Sequence, residues 1–454
     1  LQINFYEKNE RMNVSKIKTI VSGKKKRRGI LLCTIIVGVV FLHGKYLNVS
    51  EFHFYYLDEA FHALTGIFFS DFLADMPFTN ISGWTETHYN KYPALGIFIW
   101  PPLYHLVQGA TILLFGVSVM VTKMVTIGFL IILLVFFYKL VRLTHASEEI
   151  ALAAVAFSAL SPIIFHYSHY AMLEIPVLTL CIVSQYYFLK YLNDENAKHV
   201  FISALAAALA ALTKITAIYI VPFFIITAVL NRKTWIFRKF EMFFASLLCL
   251  IVIAPYYIMS FYYYGSLMLD NAIRGVESYT PITLNNFIFY PMVLRHQLGK
   301  LFLVSSLVGI LMTMLKPQAR KNNLYYLIWI VSCYIVFTPL AELKSRHTIY
   351  YIPAFAFFAS WGYYSIAKAL KNKKAVSICF FVMSFLLVSL LIYRNMKGPV
   401  LFVNGYEKAA EYVIEQSKEK PIFLFEGSFH SNFIFFIRKH DPQRQCRVLT
   451  GYRL

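Results

Sequence analysis

Acidic residues are scarce in this chain. Asp and Glu total 23 against 43 Lys and Arg in 454 residues, and charged residues make up only 15% of the sequence. So little charge, beside 58% hydrophobic and 17% aromatic residues, excludes an ordinary soluble domain, in which about a quarter of residues are charged. Cysteine is scarce too: Cys33, Cys181, Cys249, Cys333 and Cys379 lie inside apolar runs, and only Cys446 is in a polar stretch. That pattern excludes a disulfide framework and offers no C-x-x-C metal pair. There is no Walker A loop, no G-x-G-x-x-G after a strand pattern, no G-x-S-x-G and no H-E-x-x-H, so soluble nucleotide-driven chemistry has no support. No internal repeat or low-complexity segment stands out.

What is present is a series of apolar runs, at about 30–43, 95–115, 118–138, 150–166, 172–192, 199–230, 241–262, 298–315, 324–341, 348–367 and 375–393. Runs near 20 residues cross hydrocarbon, so the chain reads as a multi-pass α-helical membrane protein. The formal charge of +20 is not a nucleic-acid signal, because the basic residues sit in short runs between apolar ones: "KKKRR" (24–28), "NRKTWIFRK" (231–239), "KPQARK" (316–321) and "KALKNKK" (368–374). Such runs mark cytoplasmic loops. The first apolar run follows a basic stretch without a small-x-small cleavage site, which fits an uncleaved first span.

Counting sides tests the segment 95–115. If it crosses, and 199–230 is two spans turning at "TKIT" (213–216), the basic loops from 139–145 onward fall outside. If it lies at the interface, as Pro101-Pro102 with Trp100, Tyr104 and His105 suits, every basic loop falls inside, giving about eleven spans. A competing scheme, in which 95–115 crosses and 199–230 is one long span, misplaces only 139–145. The preferred scheme gathers on one external face Asp58 and Glu59, "ETHYNKYP" (86–93), "HYSHYAMLE" (166–174), the loop 263–297 and "ELKSRH" (342–347). Residues 1–29 are then a cytoplasmic basic N-terminus, 30–395 a membrane domain with 45–117 as its first external loop, and 396–454 an external α/β segment. That last segment shows a helix pattern at 406–416, a strand "PIFLFEG" (421–427), a helix at about 428–438 and a strand "CRVLTG", and reads as the opening of a domain cut short.

Asp58 and Glu59 lie among Tyr55, Tyr56, Phe61 and His62, where partial desolvation raises the basicity of a carboxylate and suits it to act as a general base. On a helix the two point about 100° apart, so they do not form one paired site. An acidic first turn favoured by the helix dipole accounts for them equally. Glu174 stands at the mouth of the next span, where a carboxylate is costly without a function or partner, although capping a helix whose first turn holds Pro176 is a simpler role. With His166 and His169 it matches no zinc spacing. Lys344, Arg346 and His347 place positive charge on the face where it is scarce; a phosphate at headgroup level would account for it, as would anchoring by snorkelling. Arg274, Arg295 and Lys300 are weaker cases, and Lys214 reads as a snorkelling cation.

In order and spacing, "YLDEAFHA" (56–63), "KYPALGIFIWPPLYHLVQGATILLFGVS" (91–118), "ALSPIIFHYSHYAMLEIPV" (159–177), "LAALTKITAIYIVP" (209–222) and "LKSRHTIYYIPAFAFF" (343–358) resemble the membrane glycosyltransferases of the GT-C type. More specifically, they resemble the polyprenyl-phosphate-sugar-dependent group related to protein O-mannosyltransferases and aminoarabinose transferases. The resemblance implies a GT-C-like bundle with interfacial helices in its first external loop. It implies Asp58 as catalytic base with Glu59 beside it, Glu174 where the family usually has Asp, and Lys344, Arg346 and His347 at the lipid phosphate. Tyr56, His62, Tyr92 and His169 are candidates for lining the acceptor and donor pocket. The implied reaction is an inverting transfer from a polyprenyl-phosphate sugar to a hydroxyl acceptor, with the active site on the external face of the plasma (inner) membrane. It requires no cofactor and no nucleic acid; some GT-C relatives use a divalent metal, for which this chain shows no obvious ligand set. A transporter or flippase of a lipid-linked precursor is the alternative; it would show inverted repeats or mid-span charges, and neither is clear.

Overall fold

A computed structural model describes residues 29–44, 54–55, 57–145, 147–265, 282–340, 343–398, 402–417 and 421–451. The chain forms a helical bundle. Helix α1 (Gly29–Gly44) leads to three helices of the first loop, α2 (Leu57–Asp75), α3 (Ile81–Lys91) and α4 (Leu103–Phe115). The bundle follows with α5 (Val119–Thr144), α6 (Glu148–Ala159), α7 (Pro162–Ser168), α8 (Glu174–Asp194) and α9 (Ala197–Ala211). After a 3-10 turn (Ile215–Tyr219) come α10 (Ile220–Leu230), α11 (Phe240–Tyr264), α12 (Leu284–Leu298), α13 (Lys300–Leu315) and α14 (Pro317–Phe337). A second 3-10 turn (Ser345–Tyr351) opens α15 (Ile352–Ala367), and α16 (Lys373–Lys397) completes the bundle.

Among the described residues, four helices are long and apolar enough to cross a membrane alone: α5, α8, α11 to Tyr263, and α16. Two further apolar stretches are bent pairs. Pro162, at the first turn of α7, sets a 63° bend from α6, because proline pre-forms a helix start and cannot continue the one before it. Gly299, at φ +77, sets a 120° bend between α12 and α13. The stretch 263–297, expected to be a loop, therefore carries the helix α12 at its end. Apolar periodicity cannot by itself separate an amphipathic helix before a bend from a connecting loop. Helix α4 has 13 residues, about 20 Å of rise and short of a span, and lies across α2 instead. A Cβ on Gly109 would meet the Gly66 carbonyl oxygen at 2.8 Å, so that crossing needs glycine.

The run 199–230 breaks at Leu212 to Lys214, overlapping the turn expected at 213–216. Helices then alternate in direction between two ends of the bundle. Thr144 meets Tyr326 at 2.8 Å, Tyr325 donates to Asn231 at 3.3 Å, Lys233 donates to the Leu192 carbonyl, and Lys239 pairs with Glu195 at 2.8 Å. Those contacts gather the basic connections at one end. The starts of α2, α8 and α15 and the Lys214 turn gather at the other. Helices α13 and α15 touch so closely that a Cβ on Gly309 would strike the Phe358 carbonyl and one on Gly362 the Ser305 carbonyl.

Beyond the bundle, α17 (Tyr406–Glu415), β1 (Ile422–Phe425), α18 (His430–His440) and β2 (Arg447–Thr450) form a strand–helix–strand unit, with β1 parallel to β2 from Ile422↔Arg447 to Phe425↔Thr450. It sits on the first loop. Ile434 and Phe435 join the apolar cluster of Phe54, Leu64 and Ile67, and Phe435 meets Phe54 edge-on at 4.9 Å.

Candidate active site

Helix α2 begins with two acids in its first turn, which its dipole favours. One helical step separates their directions. Asp58 faces Arg346, whose Nη1 lies 3.3 Å from its carboxylate, and keeps 40% of its side chain exposed. Glu59 turns inward and is fully buried; its oxygens accept the backbone N–H of Tyr55 at 2.7 Å and of Ala171 at 2.9 Å. That carboxylate fastens the start of α2 to the chain before α8. Lys123 of α5 lies buried nearby, its Nζ 5.9 Å from the Phe54 ring and 5.7 Å from that of Tyr170.

Glu174 opens α8 with 1% of its side chain exposed. Lys214 Nζ donates to its Oε1 at 2.6 Å, and Arg346 Nε lies 3.5 Å from the same oxygen. Its second oxygen, Oε2, is buried without a hydrogen-bond partner among the described residues. Asp58, Arg346, Glu174 and Lys214 thus form one chain of alternating charge, with an exposed carboxylate at one end and a buried ion pair at the other. Lys214 sits in extended backbone between α9 and the first 3-10 turn, and the neighbouring Leu212 carbonyl accepts the N–H of Leu103, joining this turn to the start of α4. Burial works against the charge on Arg346, but Glu174 and then Asp58 outweigh it and push its pKa up, so it stays cationic.

The other candidates divide into two groups. His347 is buried, with Nδ1 3.1 Å from the Tyr290 hydroxyl; burial, then Lys214 and Arg346, push its pKa down to about 3. Lys344 is half-buried two residues before Arg346, and its carbonyl accepts the His347 N–H. His62, one turn along α2 from Asp58, is buried against Trp100 at 4.5 Å, with Nδ1 3.0 Å from His105 Nε2; burial lowers its pKa to about 3. His169 directs Nδ1 to the Phe165 carbonyl at 3.0 Å and packs on Tyr170 at 4.4 Å. Tyr92 lies elsewhere: its hydroxyl donates to Asp441 of the C-terminal unit at 3.1 Å, and its ring packs on His88. Tyr56 and Glu342 lie outside the described residues, as does Arg274.

Lys214 is the residue that sequence patterns passed over. A lysine near a span end has a ready default, and its partner is 40 positions away. The signal was the coincidence of a buried acid and a buried base at neighbouring span mouths. For a metal, the one group of three His, Cys, Asp or Glu side chains close enough to share an ion among the described residues is Glu407, Glu411 and His440, on α17 and α18, where Lys439 already binds Glu407.

A family model described as dolichyl-phosphate-mannose-protein mannosyltransferase matches residues 100–259, from the Pro-Pro segment through most of α11. No curated protein sequence matches the chain. Among solved structures it is similar to ArnT from Cupriavidus metallidurans bound to undecaprenyl phosphate, with a TM-score of 0.62 at 13% identity over 92% of this chain and 89% of that one. The apo state of the same protein gives 0.61, again at 13% identity and the same coverage. This chain has a GT-C fold. The GT-C fold also relates it to arabinofuranosyltransferase AftD from Mycobacteria, with a TM-score of 0.52 and 13% identity over 87% of this chain and 29% of that one. In this GT-C protein, a multi-pass membrane protein, the matched family segment contributes Glu174 and Lys214 and stops short of both Asp58 and Arg346.

Proposed function

We propose that the protein is a glycosyltransferase that moves a sugar from a polyprenyl-phosphate donor to a hydroxyl acceptor on the non-cytoplasmic face, with inversion. The observation that carries this is the Asp58–Arg346–Glu174–Lys214 chain, in which one exposed carboxylate stands beside a cation that a buried acid holds in place. The solved relative bound to undecaprenyl phosphate supports the donor class, and the family model supports sugar transfer.

In the reaction Asp58 takes the proton of the acceptor hydroxyl. The oxygen attacks the anomeric carbon, the bond from that carbon to the phosphate oxygen breaks, and polyprenyl phosphate leaves with the bonding electrons. Arg346, with Lys344 beside it, neutralises the charge that develops on the phosphate, and such prearranged charge supplies a large part of the rate. Glu174 keeps Arg346 aimed there. The described basic connections at 139–145, 231–239, 316–321 and 368–374 lie at the opposite end of the bundle, which supports an external site and about eleven passes.

The test is transfer from a polyprenyl-phosphate sugar in membranes carrying Asp58→Asn. Activity should fall at least about a hundredfold at unchanged folding. Activity at the parental level would remove Asp58 as the base.

A further inference from the structure

We infer that the end of the bundle opposite the active site carries a binding site for the headgroup of an anionic phospholipid. A cavity of about 630 Å³ lies where α15 ends and α16 begins. Lys368, Lys371 and Lys373 line it together with Tyr364, Val376 and Phe380.

None of the three lysines has an ion-pair partner among the described residues. In another basic connection, Lys239 pairs with Glu195 at 2.8 Å and with Glu241 at 3.5 Å. The lysines at the cavity also stand where positive charge is unfavourable. Lys373 and Lys374 open α16, whose first turn contains no acid, so both face the positive end of its dipole. Asn372 caps the amides of Lys374 and Ala375 but brings no charge. Glu149 is the one carboxylate in the lining, and the Ser147 hydroxyl already donates to it at 2.9 Å. The lining carries three positive charges against one negative, and an anion there would relieve both the mutual repulsion of the lysines and the dipole.

The apolar wall selects a lipid over a soluble anion. On another face of α16, Ile378, Phe381 and Phe385 are exposed on the outside of the bundle and suit contact with acyl chains beside the cavity. A phosphodiester among the lysines, with its chains passing to those outer residues, uses both the charge of the lining and the apolar surface beside it. Basic pockets between membrane helices take such headgroups.

The test uses the full-length protein in detergent, with phosphatidylglycerol and phosphatidylcholine as probes and retained lipid read by native mass spectrometry. The protein should retain phosphatidylglycerol in preference to phosphatidylcholine, with affinity weakening roughly fivefold for each lysine changed to glutamine among Lys368→Gln, Lys371→Gln and Lys373→Gln. A control triple in another basic connection, Lys316→Gln, Arg320→Gln and Lys321→Gln, should leave retention unchanged. Lys371→Gln alone, in an exposed loop, covers the case of a triple variant that does not fold. Equal retention by the Lys371→Gln protein, equal loss in the control, or full displacement by millimolar inorganic phosphate would each overturn the lipid site, the last in favour of a soluble anion.

Discussion

A buried carboxylate needs a partner, and Glu174 has two. With 1% of its side chain exposed, it would carry a severe desolvation penalty without Lys214 at 2.6 Å and Arg346 at 3.5 Å. Removing one member of such a pair is more damaging than removing both. Lys214→Met should lower stability by about 3 kcal/mol, the low end of the range for a broken buried pair because Arg346 remains beside Glu174. Lys214→Met with Glu174→Gln should recover most of that loss, as followed by thermal unfolding in detergent. A double variant no more stable than the single would mean that the pair is not energetically coupled. At this scale the sequence was legible where a residue type is rare for its surroundings, as with Asp58, Glu174 and Arg346. It was not legible for Glu59, whose two backbone acceptor roles depend on Tyr55 and Ala171 arriving together, or for Tyr92, whose partner Asp441 is near the far end of the chain.

Helix α2 joins two parts of the molecule. Its first turn carries Asp58, and its last two turns carry Asp71 and Asp75, which hold the C-terminal unit. Arg438 donates to both oxygens of Asp71, at 2.7 and 3.2 Å, and His88 lies 3.0 Å from the same carboxylate; Arg444 grips Asp75 through two bonds at 2.6 and 2.7 Å. Burial alone would raise the pKa of Asp71, but His88 and Arg438 outweigh it, so the group is held below its ordinary value of 3.8. A depressed carboxylate adds stability in full above that ordinary value and loses it as pH falls towards the folded-state pKa, so the seam holds at neutral pH. Arg438→Ala, which leaves Asp71 buried beside His88 alone, should raise amide hydrogen exchange in α18 and β2 while α5 and α8 keep their protection. Unchanged exchange in α18 would show that apolar packing around Phe435 holds the unit without the ion pair. The elements of this unit were readable because helix and strand periodicities are local. The helix α12 and the two sharp bends were not, since a bend at Ser161-Pro162 or at Gly299 interrupts an apolar run without changing its composition.

Across the whole molecule, charge divides the two ends of the bundle. The basic connections meet at one end through contacts such as Lys239 with Glu195 and Tyr325 with Asn231, while the carboxylate–guanidinium cluster occupies the other. Single cysteines replacing Lys344 and Lys371, in a background cleared of native cysteine, should react with a membrane-impermeant reagent from opposite sides of sealed vesicles. Labelling from the same side would reverse the assignment of the site to the external face. The helical membrane bundle was the most legible level, because apolar runs near span length recur along the whole chain and tolerate errors in any one.

Helix α15 spans that division. Arg346 stands in the 3-10 turn that leads into it, and Lys368 caps its other end. Its 16 residues rise about 24 Å, and the seven of the turn add up to about 14 Å. Their sum approaches the thickness of a bilayer measured from headgroup to headgroup. Because Gly309 and Gly362 press α15 against α13 with no room for a Cβ, this rod cannot slide along its neighbour. Under the proposed function it would serve as a depth gauge: the level of the lysines in one leaflet would fix the height at which the Arg346 guanidinium meets a phosphate in the other.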